Sequence, residues 1–193
     1  MRYGGEIIRK SIHFSSLAVP IGIHFLPLET GRTVILALTL LLIVVDVLRL
    51  YVPPLRTLFY FLFGRIVRNH ERFNLLGSTY LMMAALISVY AFGKSIAVVS
   101  LAFLIVGDTM AALVGRRWGR IRLLDKSLEG SMACLASCLL IGWFYGRFED
   151  PELTLYVAAV GSLTATLAEL LPIPLDDNLR IPLAAGFAMS LLP

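Results

Sequence analysis

Residues Ser95–Val114 read SIAVVSLAFLIVGDTMAALV, about 20 residues in which Asp108 is the single charged side chain, and a helix of that length and composition can cross the hydrocarbon core of a bilayer. A carboxylate inside such a run is costly in lipid and marks a functional position. The run leads directly into a polar stretch. Gly107–Ser131, GDTMAALVGRRWGRIRLLDKSLEGS, carries Arg116, Arg117, Arg120, Arg122 and Lys126, with Asp125 and Glu129 among them. Flexible glycines beside guanidinium groups can approach phosphate oxygens closely and bind them bidentately.

Outward from this stretch, the chain of 193 residues is 58% hydrophobic and 16% charged, with a mean hydropathy of +0.82. That composition excludes an ordinary soluble domain and predicts an all-α integral membrane protein. Apolar runs bounded by charges and turn residues predict about seven hydrophobic helices in one bundle: Ile12–Leu28, Thr33–Leu50, Gly77–Phe92, Ser95–Val114, Ser131–Tyr145, Leu153–Leu171 and Ile181–Leu192. The last is short, covering about 18 Å as a helix. Between the second and third, Tyr51–Leu76 holds Pro53-Pro54, the aromatic run Leu58–Phe63 and then Arg65, Arg68 and Arg72, the pattern of an amphipathic helix lying in the interface. No separate soluble domain is evident, so residues 1–193 read as a single membrane-embedded domain, and no cleavable signal peptide is recognisable.

The basic residues set the orientation. With the N-terminus cytoplasmic, one face receives 14 of the 17 Lys and Arg residues, and the other receives Arg32, Lys94 and Arg147, which satisfies the positive-inside rule. The net charge of +4 is therefore concentrated on one face, where orientation and anionic membrane lipids account for it without nucleic acid.

Four polar clusters reach that same face: Arg9, Lys10 and His13; Asn69, His70 and Glu71 with Gly77–Tyr80; Asp108–Ser131; and Glu169 with Asp176, Asp177 and Asn178. Their convergence predicts one site. Each element also has a structural reading. Gly107, Ala111 and Gly115 recur every fourth residue and permit close helix packing, against a helix of the same chain or in a homodimer. Asp108 could pair with an inner arginine. Lys126-Ser127-Leu128-Glu129-Gly130-Ser131 opens a helix, whose N-terminus can bind phosphate or be capped by Ser127 or Ser131. Asp176-Asp177-Asn178 offers the oxygen ligands magnesium prefers, or a solvated turn. Asp46 and Arg49 read as a same-face pair, and Cys134 and Cys138 as packing. No Walker A pattern is present.

At these residues the chain resembles the dolichol kinase and phytol kinase family, membrane kinases that use CTP to phosphorylate long-chain lipid alcohols. The resemblance rests on Gly107-Asp108 with Ala111-Ala112 and Gly115-Arg116-Arg117, on Lys126–Ser131, and on Glu169 with Asp177-Asn178 and Ile181-Pro182. Arg9-Lys10 with His13, and His70-Glu71 with Gly77–Tyr80, add to it. It implies CTP as phosphoryl donor and a polyprenol-like alcohol as acceptor at the cytoplasmic face.

Phosphoryl transfer asks mainly for positioning and charge neutralisation. The expected roles follow: Asp108, Asp176 and Asp177 as ligands of Mg²⁺ or another divalent cation; Gly107, Gly115, Arg116, Arg117, Lys126, Ser127, Gly130, Ser131 and Asn178 at the nucleotide phosphates; Glu129 or Glu169 orienting the attacking hydroxyl, beside Asp108; and Arg9, Lys10, His13, His70 and Glu71 as accessory groups. The rival readings are a cytidylyltransferase of the CDP-diacylglycerol synthase type and a non-catalytic lipid transporter or scaffold. A transporter needs polar groups on both faces, and here they are lopsided.

Overall fold

The computed structural model describes residues 10–64, 67 and 70–193, without the side chain of residue 70. Arg9, Arg65, Arg68 and Asn69 lie outside the described residues, as does the His70 side chain. Eight helices are named here in chain order: α1 (Ala18–Phe25), α2 (Leu28–Tyr51), α3 (Pro53–Phe63), α4 (Gly77–Ala91), α5 (Lys94–Trp118), α6 (Leu128–Phe148), α7 (Leu155–Leu170) and α8 (Asp177–Ser190). Three of them, α2, α5 and α6, are long and apolar enough to cross a membrane, and α4 and α7 are shorter apolar helices. The protein is a mostly helical membrane protein.

Local chemistry sets the boundaries. Val52 is extended because Pro53 follows it, which ends α2, while Pro53 and Pro54 occupy the first turn of α3, where their missing N–H groups cost nothing. Ser127, Thr154 and Asp176 cap α6, α7 and α8, each accepting a backbone N–H with its side-chain oxygen. Gly93 precedes α5 at φ +80, a conformation that favours glycine.

Two features depart from the sequence expectation. The segment Ile12–Leu28 is interrupted: residues 10–15 are helical, Ser16 and Leu17 form a turn, and α1 starts at Ala18. Pro20 has no N–H to offer the carbonyl of Ser16, so the helix is broken there. Between α5 and α6, Arg122–Leu123 pairs antiparallel with Lys126–Ser127 in a small hairpin, with Leu124 at φ 55 in its turn.

The central element is α5. Leu101, Phe103, Leu104 and Ile105 are fully buried, whereas Leu40, Leu41 and Val44 of α2 face outward. Within α5, Phe103–Gly107 is wound as a π-helix directly before Asp108, an irregularity often found at functional sites. The C-terminal part of α5 packs on α6, α6 on α7, α7 on α8, and α8 closes against α4 and α5.

The small-residue face of α5 is spent within the chain. A methyl group on Gly107 would meet Cys138 Sγ at 2.8 Å and Cys134 Sγ at 3.0 Å, and one on Gly115 would meet Ser127 Oγ at 2.7 Å. These glycines allow α5 and α6 to cross at close range.

Candidate functional site

A cavity of about 500 Å³, in the size range of small-molecule sites, receives residues from all four polar clusters. Lys10 and His13 come from the N-terminal helical residues, Glu71, Gly77 and Ser78 from the approach to α4, Asp108 from α5, and Asp177 and Asn178 from α8. Its remaining walls include Leu42 and Val45 of α2, Phe59 and Phe63 of α3, and Leu81 of α4. Its lining thus combines charged and polar groups with apolar ones.

Asp108 is paired within this lining. Lys10 Nζ donates to Asp108 Oδ2 at 2.5 Å and to the Asp108 carbonyl at 3.3 Å, and His13 Nε2 lies 3.6 Å from the same carboxylate oxygen. The pairing sequence allowed with an arginine is therefore made by a lysine from the N-terminal segment. Lys10 is itself buried, so each charge relieves the desolvation of the other.

A second node adjoins it. Lys126 Nζ lies 2.6 Å from Glu169 Oε1 and 3.7 Å from Asp177 Oδ2, and donates to the Glu169 carbonyl. Asp177 also accepts from Arg180 Nη2. One lysine thus ties the hairpin to α7 and α8. The buried Glu169 Oε2 has no hydrogen-bond partner among the described residues.

The lower wall is fixed from α2. Asp46 and Arg49 are both buried and form the expected same-face pair, Nη2 to Oδ1 at 2.8 Å. Asp46 Oδ2 accepts from Leu76 N at 2.8 Å and from Thr79 Oγ1 at 2.6 Å, serving the N-terminus of α4. Glu71 Oε1 accepts from Gly77 N at 3.1 Å. A methyl group on Gly77 would stand 2.8 Å from Asn178 Nδ2, so the α4 and α8 N-termini meet at the cavity.

Several residues expected in the site have other tasks here. Asp176 caps α8, accepting from Asn178 N at 3.0 Å and Asn178 Nδ2 at 2.8 Å. Glu129 Oε1 accepts from Arg120 N at 3.0 Å and Ile121 N at 3.2 Å, anchoring the basic loop. Ser127 Oγ accepts from Gly130 N at 3.2 Å, the cap the sequence allowed. Gly107, Gly115 and Gly130 sit in the α5–α6 crossing. Ser131 is buried in the first turn of α6, its hydroxyl without a partner among the described residues. Arg116 and Arg117 are exposed at the end of α5, Arg117 lying over the Trp118 ring.

No group of three or more His, Cys, Asp or Glu side chains that could hold a metal ion occurs among the described residues. Among the groups that line the cavity, the Asp108, Asp177 and Glu71 carboxylates and the Asn178 amide offer hard oxygens. They fit Mg²⁺, which is commonly held by one or two carboxylates with substrate phosphates and water completing its shell.

Sequence reading missed the apolar walls. Their signal was present as the spacing of Phe59 and Phe63, which share one face of α3 with ring centroids 5.2 Å apart.

No family model matches the chain, and no solved structure matches it. Among curated proteins it is similar to an uncharacterized protein of Rickettsia prowazekii, 27% identical and covering 96% of this chain and 93% of that one. It is 34% identical to a probable chloroplastic phytol kinase 1 of Glycine max, over 62% of this chain and 45% of the relative. It is 27% identical to a CTP-dependent diacylglycerol kinase 1 of Schizosaccharomyces pombe, over 93% of this chain and 83% of that one. The chain thus spans less than half of the phytol kinase and most of the diacylglycerol kinase. The chain is thus similar to proteins named as a probable phytol kinase and as a CTP-dependent diacylglycerol kinase.

Proposed function

We propose that the protein transfers the γ-phosphoryl group of CTP to the hydroxyl of a long-chain lipid alcohol, a polyprenol-like isoprenoid, at the cytoplasmic membrane face. The observation that carries this reading is a cavity lined both by charged and polar residues, Lys10, His13, Glu71, Asp108, Asp177 and Asn178 among them, and by aliphatic and aromatic side chains. That mixed lining suits an amphipathic molecule. The phytol and diacylglycerol named for the relatives are both such alcohols.

In the reaction the alcohol oxygen attacks the γ-phosphorus, the bond to the bridging β–γ oxygen breaks, CDP leaves, and the hydroxyl proton passes to a base. His13, which lines the cavity and stands 3.6 Å from Asp108, would orient the hydroxyl and accept that proton. Asp108 and Asp177 would hold a divalent cation, which when bound neutralises charge on the transferring phosphates. Lys10 and Lys126 supply positive charge on either side. Arg116 and Arg117, exposed beside the hairpin, would meet the nucleotide phosphates from solvent.

In the membrane the reading comprises seven hydrophobic segments, α3 in the cytoplasmic interface and the N-terminus inside. Purified protein incubated with labelled CTP or ATP, Mg²⁺ and a panel of polyprenol, phytol and diacylglycerol tests the activity. Lipid monophosphate and CDP are the expected products. Release of pyrophosphate would identify a cytidylyltransferase instead, and absence of any nucleotide turnover would return the transporter reading.

A further inference from the structure

The helix α3 has no buried residue of its own, yet it supplies two aromatic rings to the cavity, Phe59 and Phe63. A helix so thinly packed needs something to fix it, and the structure provides an arginine. Arg49 is only 2% exposed. Its guanidinium carbon lies 5.1 Å from the Phe59 ring centroid, and Nη1 donates to Tyr60 Oη at 3.3 Å. Tyr60 Oη in turn donates to the Arg72 carbonyl at 3.3 Å.

The other Arg49 donors reach the polar side of the same cavity. Nη1 donates to the Glu71 carbonyl and Nη2 to the Asn74 carbonyl, each at 2.9 Å, while Nε donates to Asp46 Oδ1 at 2.9 Å. A planar, five-donor group is suited to such a junction, which lysine cannot reproduce. A single residue thereby sets the distance between the aromatic wall on α3 and the segment that carries Glu71 and Gly77. A lipid whose hydroxyl reached Asp108 would have Phe59, Phe63, Leu42 and Val45 as apolar lining for its chain.

We infer that Phe59 and Phe63 are specificity-determining residues for the lipid acceptor, selecting the chain next to the hydroxyl, and that Arg49 is the positioning residue that holds them. The inference rests on the lipid-kinase reading for its consequence in turnover, but not for the location of the lipid. Two aromatic rings in the lining favour contact with a single unbranched or methyl-branched chain over the bulkier glycerol junction of a two-chain acceptor. Hydrophobic pockets discriminate by modest factors, so the selectivity carried here is about 10-fold or more.

Two measurements on the full-length protein test this together. Photo-crosslinking with an isoprenoid alcohol bearing a diazirine near its hydroxyl should label the α3 peptide containing Phe59 and Phe63. In Phe59→Ala and Phe63→Ala, the ratio of kcat/KM for phytol to that for diacylglycerol should fall by about 10-fold or more, with KM for CTP unchanged. Arg49→Lys should raise KM for the alcohol more than it lowers kcat, and Tyr60→Phe should do so more weakly.

Labelling of α3 without phosphorylation of any alcohol would leave the lipid-binding wall standing and remove the kinase reading. Phosphorylation with labelling elsewhere and an unchanged acceptor ratio would overturn the inference and leave the kinase reading intact. A protein that neither labels on α3 nor phosphorylates an alcohol would overturn both.

Discussion

At the level of single residues, the fold separates acids that the sequence left side by side. Asp176 and Asp177 are adjacent and chemically identical, but Asp176 is the residue that caps α8, while Asp177 reaches the cavity and the Lys126 node. Which acid caps depends on where the helix begins, a difference of one residue that composition and spacing do not specify. Asp176→Ala should therefore cost about 1 kcal/mol of stability and keep turnover within a few fold, whereas Asp177→Asn should lower turnover with little change in thermal unfolding. Equal loss of turnover in both variants would return Asp176 to the metal site. Asp108 stands out in the sequence as an acid in an apolar run, yet its partner Lys10, 98 residues away in sequence, reads there only as an accessory charge. Asp108→Asn keeps the size of the side chain and a carbonyl oxygen for Lys10. Turnover should fall by about 100-fold or more, and the midpoint of thermal unfolding in detergent should move by only a few degrees; near-normal turnover would remove Asp108 from the chemistry.

At the level of elements, hydrophobic periods located the helices well because lipid-facing and core-facing positions are both apolar in a bundle of this kind. The predicted runs Gly77–Phe92 and Leu153–Leu171 correspond closely to α4 and α7. Hydropathy could not register the turn at Ser16 and Leu17, since one proline interrupts the hydrogen-bond ladder without altering the apolar average. It also passed over the two-residue strands of the hairpin, too short to show alternation. Small residues at every fourth position of α5 foretold a close helix contact, and the structure makes it with α6. At Gly130 in this crossing an added methyl group would meet the Ala111 carbonyl oxygen at 2.7 Å. That oxygen belongs to helix backbone and cannot turn aside. Gly130→Ala should accordingly destabilise the protein by about 1–3 kcal/mol, seen as a lowered unfolding midpoint, even though alanine is the better helix former. A stabilised variant would mean that the two helices separate more easily than this contact implies.

At the level of the whole molecule, the convergence of four sequence clusters on one cavity follows from connectivity. Successive apolar segments return polar termini to the same end of a bundle, so chemistry spread over most of the chain meets in space; Lys10, Glu71, Asp108 and Asp177 line one cavity. The apolar half of that cavity was hidden because its side chains look like ordinary membrane-facing residues until α3 is folded over α2. The same connectivity makes the orientation testable on α6. This helix has 21 residues, about 32 Å at 1.5 Å per residue, enough to carry its ends to opposite sides of a hydrocarbon core. Asp125 lies in the hairpin before it and Glu152 in the loop after it, both exposed. The native cysteines Cys134 and Cys138 are buried and should stay silent to a membrane-impermeant maleimide. With the N-terminus and cavity cytoplasmic, Asp125→Cys should be labelled in inverted membrane vesicles and protected in right-side-out vesicles, and Glu152→Cys should show the reverse. Interchanged labelling would place the cavity on the outer face, where the arginines of the hairpin would contradict the positive-inside rule; labelling of both from one side would mean that α6 does not span, and would remove the seven-segment arrangement.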